Sequence, residues 1–198
     1  MANHVTNRIT LLGNSAIKKL FNEMVSRFKI DLSRTRNIDD NGSIGRVLYG
    51  LKGEEAKLGY QETGANWVYV EEPLESDEPL RFISAWNPIP KLQDYILRHA
   101  SMLDPNVIVI NDYSEETARF IGCRIVTIFN GRKIEFIEHE DTSDITLVDD
   151  ESDKDSDSMT WDEFWARLDE LKLKLIDEIV EDIPIHTKEE LLKLLDTE

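Results

Sequence analysis

The rhythm of apolar and polar residues changes several times along this chain, and each change marks an element. Residues 4–12, HVTNRITLL, alternate and are rich in β-branched side chains, which predicts a strand. After Gly13-Asn14 the period lengthens. Ile17, Leu20, Phe21, Met24, Val25 and Phe28 fall on one stripe of an amphipathic helix, with Asn14 or Ser15 as its cap. Residues 29–65 lose the pattern and contain turn chemistry such as Asn41-Gly42, so a long irregular connection is expected. Residues 66–72 and 80–86 read as a strand pair around a loop from Pro73 to Pro79. A helix then follows in NPIPKLQDYILRHASML. Asn87 is its expected cap, Pro88 or Pro90 sits in its first turn, Leu92, Ile96 and Leu103 face inward, and Asp104-Pro105 stops it. Residues 107–113 and 120–129 are strands. Asn130-Gly131 is a two-residue hairpin signal, and residues 132–138 form the returning strand.

The predicted order is β-α-β-β-α-β with a further hairpin. Its skeleton is the split βαβ unit of the ferredoxin-like sandwich, an α+β fold with an antiparallel sheet and two helices on one face. The expected domain therefore spans 1–140. Residues 141–159 read as an acidic linker, since 149–158 contain no apolar residue at all. At Thr160 the helical period returns. Thr160-Trp161-Asp162-Glu163 has the form of a capping box, and so does Thr187-Lys188-Glu189-Glu190. Residues 160–198 are thus expected to form a C-terminal helical module of two helices hinged at Pro184.

Charge divides the chain in the same place. The net charge is −17, but residues 1–137 carry 17 basic and 18 acidic residues, while 138–198 carry 6 basic and 22 acidic. Such a surface repels phosphates and attracts a basic protein face, so a basic protein is the expected partner and a nucleic acid is not. The chain has one cysteine, Cys123, which excludes an internal disulfide and fits a reducing compartment. The N-terminal stretch lacks the pattern of a signal peptide, and no run reaches the length of a membrane span. A cytoplasmic protein is the expectation.

Candidate chemistry is sparse. Asp153, Asp155 and Asp157 imitate the first ligands of a calcium loop, but Ser158 replaces the required glycine and Phe164 the closing glutamate, so a solvated tether is the better reading. His4, His99, His139 and His186 show no metal-ligand spacing, and Gly42, Gly45, Gly50 and Gly53 lack the setting of a phosphate loop. No catalytic residue, cofactor or metal is assigned. Trp67, Tyr69, Phe82 and Trp86 offer the alternative of base stacking on the sheet, as in RNA-binding modules of this skeleton, although the strand LRFISAWN lacks their motif. The acidic module instead suggests partner binding, with Trp161, Phe164 and Trp165 as anchors and Asp162 and Glu163 beside them. It also admits a homo-oligomer through the C-terminal helices.

Three motifs carry a family resemblance: Asn3 and Asn7 in NHVTNRITLLG, Gly64 and Trp67 in GANWVYV, and Trp86, Pro88 and Pro90 in FISAWNPIPKL. Residues 1–140 resemble the YubB ferredoxin-like domain family, uncharacterised proteins of plasmids and phages. The resemblance implies a mobile-element origin and a ferredoxin-like fold without an iron–sulfur cluster, and it implies no reaction. The expectation is a non-enzymatic interaction protein of a phage or plasmid. It would bind a basic host or viral protein through its acidic helices, as a DNA mimic or an inhibitor. The alternative is a nucleic-acid-binding module using the sheet aromatics.

Overall fold

The computed structural model describes residues 3–32, 63–70, 79–149, 158–183 and 186–195. The Asn41-Gly42 turn, the loop from Pro73 to Pro79 (but for its last residue), the aspartates 153–157 and Pro184 lie outside these residues.

The elements are β1 (His4–Leu12), α1 (Ser15–Leu32), β2 (Asn66–Val70), β3 (Leu80–Ala85), α2 (Pro90–Ala100), β4 (Ile108–Glu115), β5 (Phe120–Phe129), β6 (Arg132–Asp141), β7 (Thr146–Val148), β8 (Ser158–Thr160), α3 (Trp161–Asp182) and α4 (Lys188–Leu195). The first six strands form one sheet in the order β2-β3-β1-β4-β5-β6, and every neighbouring pair is antiparallel. The fold is α+β.

Local chemistry accounts for the element ends. The Asn14 side chain accepts from Ala16 N at 2.8 Å and caps α1. Asp104 ties the turn after β1 to the turn before β4, accepting from Asn14 N at 2.7 Å and Asn106 N at 2.9 Å. Asn130 and Gly131 both take positive φ, as a two-residue turn between twisted strands requires. The start of α2 differs from expectation. Ile89, not Asn87, occupies the capping position, and its N–H is held by the side-chain oxygen of Asn7 at 3.2 Å. Pro90 then opens the helix, where its missing N–H costs nothing.

Alternating residues of β1, β4 and β5 serve two cores. Ile9, Phe82, Val109 and Val126 pack with Ile17 of α1 and with Leu92 and Ile96 of α2. On the other face Ile108, Ile110, Cys123, Ile125 and Phe136 pack against Leu175, Ile176 and Ile179 of α3 and Leu191 of α4. A satellite cluster joins Ala118 and Ile121 to Phe164 and Leu168. The helices α3 and α4 of the segment 160–198, read from sequence as a module of its own, therefore supply a third layer. Burial of its apolar stripe offsets the ordering entropy of the segment.

Part of the presumed linker is also ordered. Thr142 donates through its hydroxyl to Ala118 O and through its N–H to Arg119 O, and β7 pairs in parallel with β8. Leu147 and Met159 pack on the Phe164 cluster. A few apolar residues within an acidic stretch suffice to hold it down.

Candidate functional site

The first turns of α3 combine a standard cap with an unusual charge arrangement. Thr160 Oγ1 accepts from Glu163 N at 3.3 Å, and Glu163 Oε2 accepts from Thr160 N at 3.0 Å, which completes the expected capping box. Glu163 is thus committed to the helix start. Asp162 is exposed beside it, where a carboxylate suits the positive helix end.

The three anchor candidates separate. Phe164 is only 1 % exposed and belongs to the core. Trp161 and Trp165 are each 39 % exposed and flank it edge-on, with ring centroids 5.8 Å and 5.4 Å from the Phe164 ring. The Arg8 guanidinium lies 5.5 Å from the Trp165 ring centroid, a cation–π contact. The tryptophans therefore present their outer surfaces from fixed positions.

Each of the three basic residues of α3 pairs with an acid of the sheet, Lys172 from a largely covered position and Arg167 and Lys174 from exposed ones. Arg167 Nε meets Glu140 Oε1 at 2.5 Å, Lys174 pairs with Glu138, and Lys172 Nζ lies 3.5 Å from the buried Asp112, which also binds Arg8 Nε at 2.5 Å. The Glu138 carboxylate holds the Lys174 ammonium above its ordinary pKa. Solvent meets a ridge of Asp162, Ala166, Glu170, Leu173, Asp177 and Glu181, spaced along one helical face, with the exposed side chains of Arg167 and Lys174 along its flank. Lys188, from α4, also reaches it, at 2.7 Å from Asp177. Leu173 is an exposed apolar residue on this ridge. A hollow of about 300 Å³ lies at its N-terminal end, lined by Ser158, Met159, Glu163, Ala166, Arg167 and Glu170.

The motif residues of the N-terminal region gather elsewhere, at the turn into α2. Trp86 N donates to Asn3 O at 2.9 Å. Buried Asn7 donates to Val5 O, Phe82 O and Ser84 Oγ at 3.0, 3.3 and 3.0 Å, and its oxygen accepts from Ile89 N and from Asn111 Nδ2, both at 3.2 Å. Gly64, at φ 85°, brings its backbone against Pro90 and Lys91. Trp86 takes a positive φ of 65°, rare for so large a residue, and is 47 % exposed. Pro88 is half-buried in the turn. Trp67 lies in β2, and its side chain is outside the described residues. Sequence reading assigned Asn7 to a motif without its role. A buried amide bridging three strands looks, in sequence, like any polar residue of an alternating strand.

The base-stacking set fares differently from the expectation. Phe82 is fully buried between the sheet and its helices, so it offers no face to a base. Titratable groups are dispersed. His4 faces Glu116 at 3.3 Å, His99 stacks near Tyr95, His139 lies against Tyr113 and Phe120, and His186 approaches Asn106 O. Burial pushes the Cys123 thiol well above its ordinary range and Tyr113 up to about 12. Among the described residues no cluster of three or more metal-ligating side chains occurs, and no helix is long and apolar enough to cross a membrane.

No family model matches the chain, and no curated protein or solved structure matches it.

Proposed function

We propose that this is a non-enzymatic interaction protein that binds a basic protein through the outer face of α3. The observation that carries the reading is the distribution of charge on that helix: its three cations pair with Glu138, Glu140 and Asp112 of the sheet, while Asp162, Glu170, Asp177 and Glu181 are exposed along one face. Long-range attraction by the ridge would steer a cationic partner, and the exposed surfaces of Trp161, Trp165 and Leu173 would supply the apolar contact that retains it. A row of carboxylates on a rigid helix also suits occupation of a nucleic-acid-binding groove, which is the DNA-mimic form of the proposal.

The fold is read as a ferredoxin-like sandwich extended by the β5–β6 hairpin. Support comes from the order β2-β3-β1-β4, in which each helix crossover skips one strand. The meeting of Asn3, Asn7, Gly64, Trp86 and Pro90 at one turn supports the likeness to the YubB family, and with it a phage or plasmid origin and action in a host cytoplasm.

The test is affinity capture from bacterial lysate with the full chain and with a variant carrying Glu170→Gln, Asp177→Asn and Glu181→Gln, at low and high salt. A basic protein held by the native chain, lost from the variant and released by salt, supports the reading. Competition by duplex DNA for that protein distinguishes the mimic. Identical captures from both chains at both salt levels would remove the ridge from the function.

A further inference from the structure

The two edges of the sheet are built differently. β2 is five residues long, and its register against β3 shifts between Asn66 and Tyr69. Shortness and a bulge are means by which an edge avoids pairing with another chain. β6 has neither. It runs ten residues against β5 in ten consecutive pairs with no shift, contains no proline, and pairs with β5 alone among the described residues.

The Asn130-Gly131 turn fixes which backbone groups this edge offers. A two-residue turn makes Phe129 and Arg132 a hydrogen-bonded pair, and such pairs alternate along the hairpin. Even-numbered residues of β6 therefore turn their N–H and C=O toward β5. Lys133, Glu135, Ile137, His139 and Asp141 turn theirs outward. Their side chains stand on the α2 face of the sheet, where Lys133 and Glu135 bind Asp94 and Arg124. Ile137, at the centre of the strand, is 52 % exposed.

We propose that β6 is a self-association edge. Two copies of the chain pair their β6 strands antiparallel about a two-fold axis at Ile137, joining two six-stranded sheets into one. In this register Ile137 meets the partner's Ile137, Glu135 lies opposite the partner's His139, and Lys133 lies opposite the partner's Asp141. Opposite residues share a face, so these pairs are direct cross-strand neighbours. Sliding the register two residues one way places Lys133 against His139 and Glu135 against Ile137. Sliding it the other way places Glu135 against Asp141. The dyad at Ile137 alone of these three pairs acid with base or imidazole on both sides. Lys133 and Glu135 can keep their partners within the chain, because an ammonium has three donors and a carboxylate about four acceptor sites.

Sedimentation equilibrium of the full chain near 0.15 M salt, where repulsion between two acidic chains is screened beyond about 8 Å, should give twice the chain mass. Ile137→Arg places two cations on the axis and should give the single-chain mass with an unchanged circular dichroism spectrum. Register is read by cross-linking. Ile137→Cys should form a disulfide-linked dimer on mild oxidation. Lys133→Cys should not, because its two copies would lie about 27 Å apart along the strands. Cys123 is buried and is not a competing thiol. A native chain that stays monomeric up to its solubility limit, a dimer indifferent to Ile137→Arg, or equal cross-linking of both cysteines would overturn the proposal.

Discussion

The two faces of this sheet are closed by different means. On the α1–α2 face, side-chain hydrogen bonds penetrate the core. Asn7 links β1, β3, β4 and the turn into α2, Gln93 donates to Val109 O and Arg124 O, and Arg124 binds Pro90 O, Gln93, Asp94 and Glu135. On the α3–α4 face the centre is largely apolar, and ion pairs stand mostly at its margins. The first arrangement specifies one position for α2, since Asn7, Gln93 and Arg124 each lose a partner if the helix shifts. The second tolerates small adjustments and pairs the basic residues of α3 with acids of the sheet, leaving Asp162, Glu170, Asp177 and Glu181 exposed. Specificity of fold resides on one face and presentation of charge on the other.

The largest expected break is Phe164→Ala. It removes a fully buried ring between α3 and β5, and should cost about 4 kcal/mol in urea unfolding. If α3 were a loosely attached module, the main transition would not move. Asn7→Ala should follow at about 3 kcal/mol, because Ile89 N and the Asn111 amide are left buried without their acceptor. Gly122→Ala tests the same face sterically. Its new Cβ would lie 2.5 Å from the Tyr113 ring, and a loss of about 2 kcal/mol is expected in thermal or urea melts.

A pH comparison is subtler. The Arg124 guanidinium beside Glu135 holds its carboxyl below the ordinary 4.5, with Lys133 assisting. A carboxylate with a lowered folded-state pKa adds stability above its unfolded value, and that stability fades as pH falls through the folded value. Glu135→Gln should therefore be less stable than the native chain at pH 7, with the gap closing below pH 4.5, as seen in urea midpoints across that range. Smallest of all, Arg167→Gln on the α3 face should cost under about 1 kcal/mol, since the ion pair with Glu140 is solvated.

Much of this architecture was legible in residue patterns. Asn130-Gly131, the Thr160 capping box and the stripe from Ile17 onward each name an element through local chemistry, and local chemistry does not depend on what packs around it. The docking of α3 was less legible, because an acidic composition resembles a solvated tail. The signal for it lay in the strands. FIGCRIVTIF and VIVI are nearly continuous apolar runs, which indicates a sheet covered on both faces, and one pair of helices can cover only one. The pairing of Arg167, Lys172 and Lys174 with acids of the sheet was not legible, since their partners on β4 and β6 lie 27 to 60 residues away. The Asn7 network was hidden for the same reason. At the candidate site the tryptophans were found by composition, whereas the burial of Phe164 between them follows from tertiary packing alone.

Above all, α3 is a fixed layer of the fold that holds Asp162, Glu170, Asp177 and Glu181 outward. Native-state hydrogen exchange of the full chain reads this directly. Amides from Leu168 to Ile179 should open with the same free energy as those of β4 and β5, and both sets should fall together in Asn7→Ala, although Asn7 lies across the sheet. Exchange of the α3 amides through a separate, much easier opening, untouched by Asn7→Ala, would contradict it.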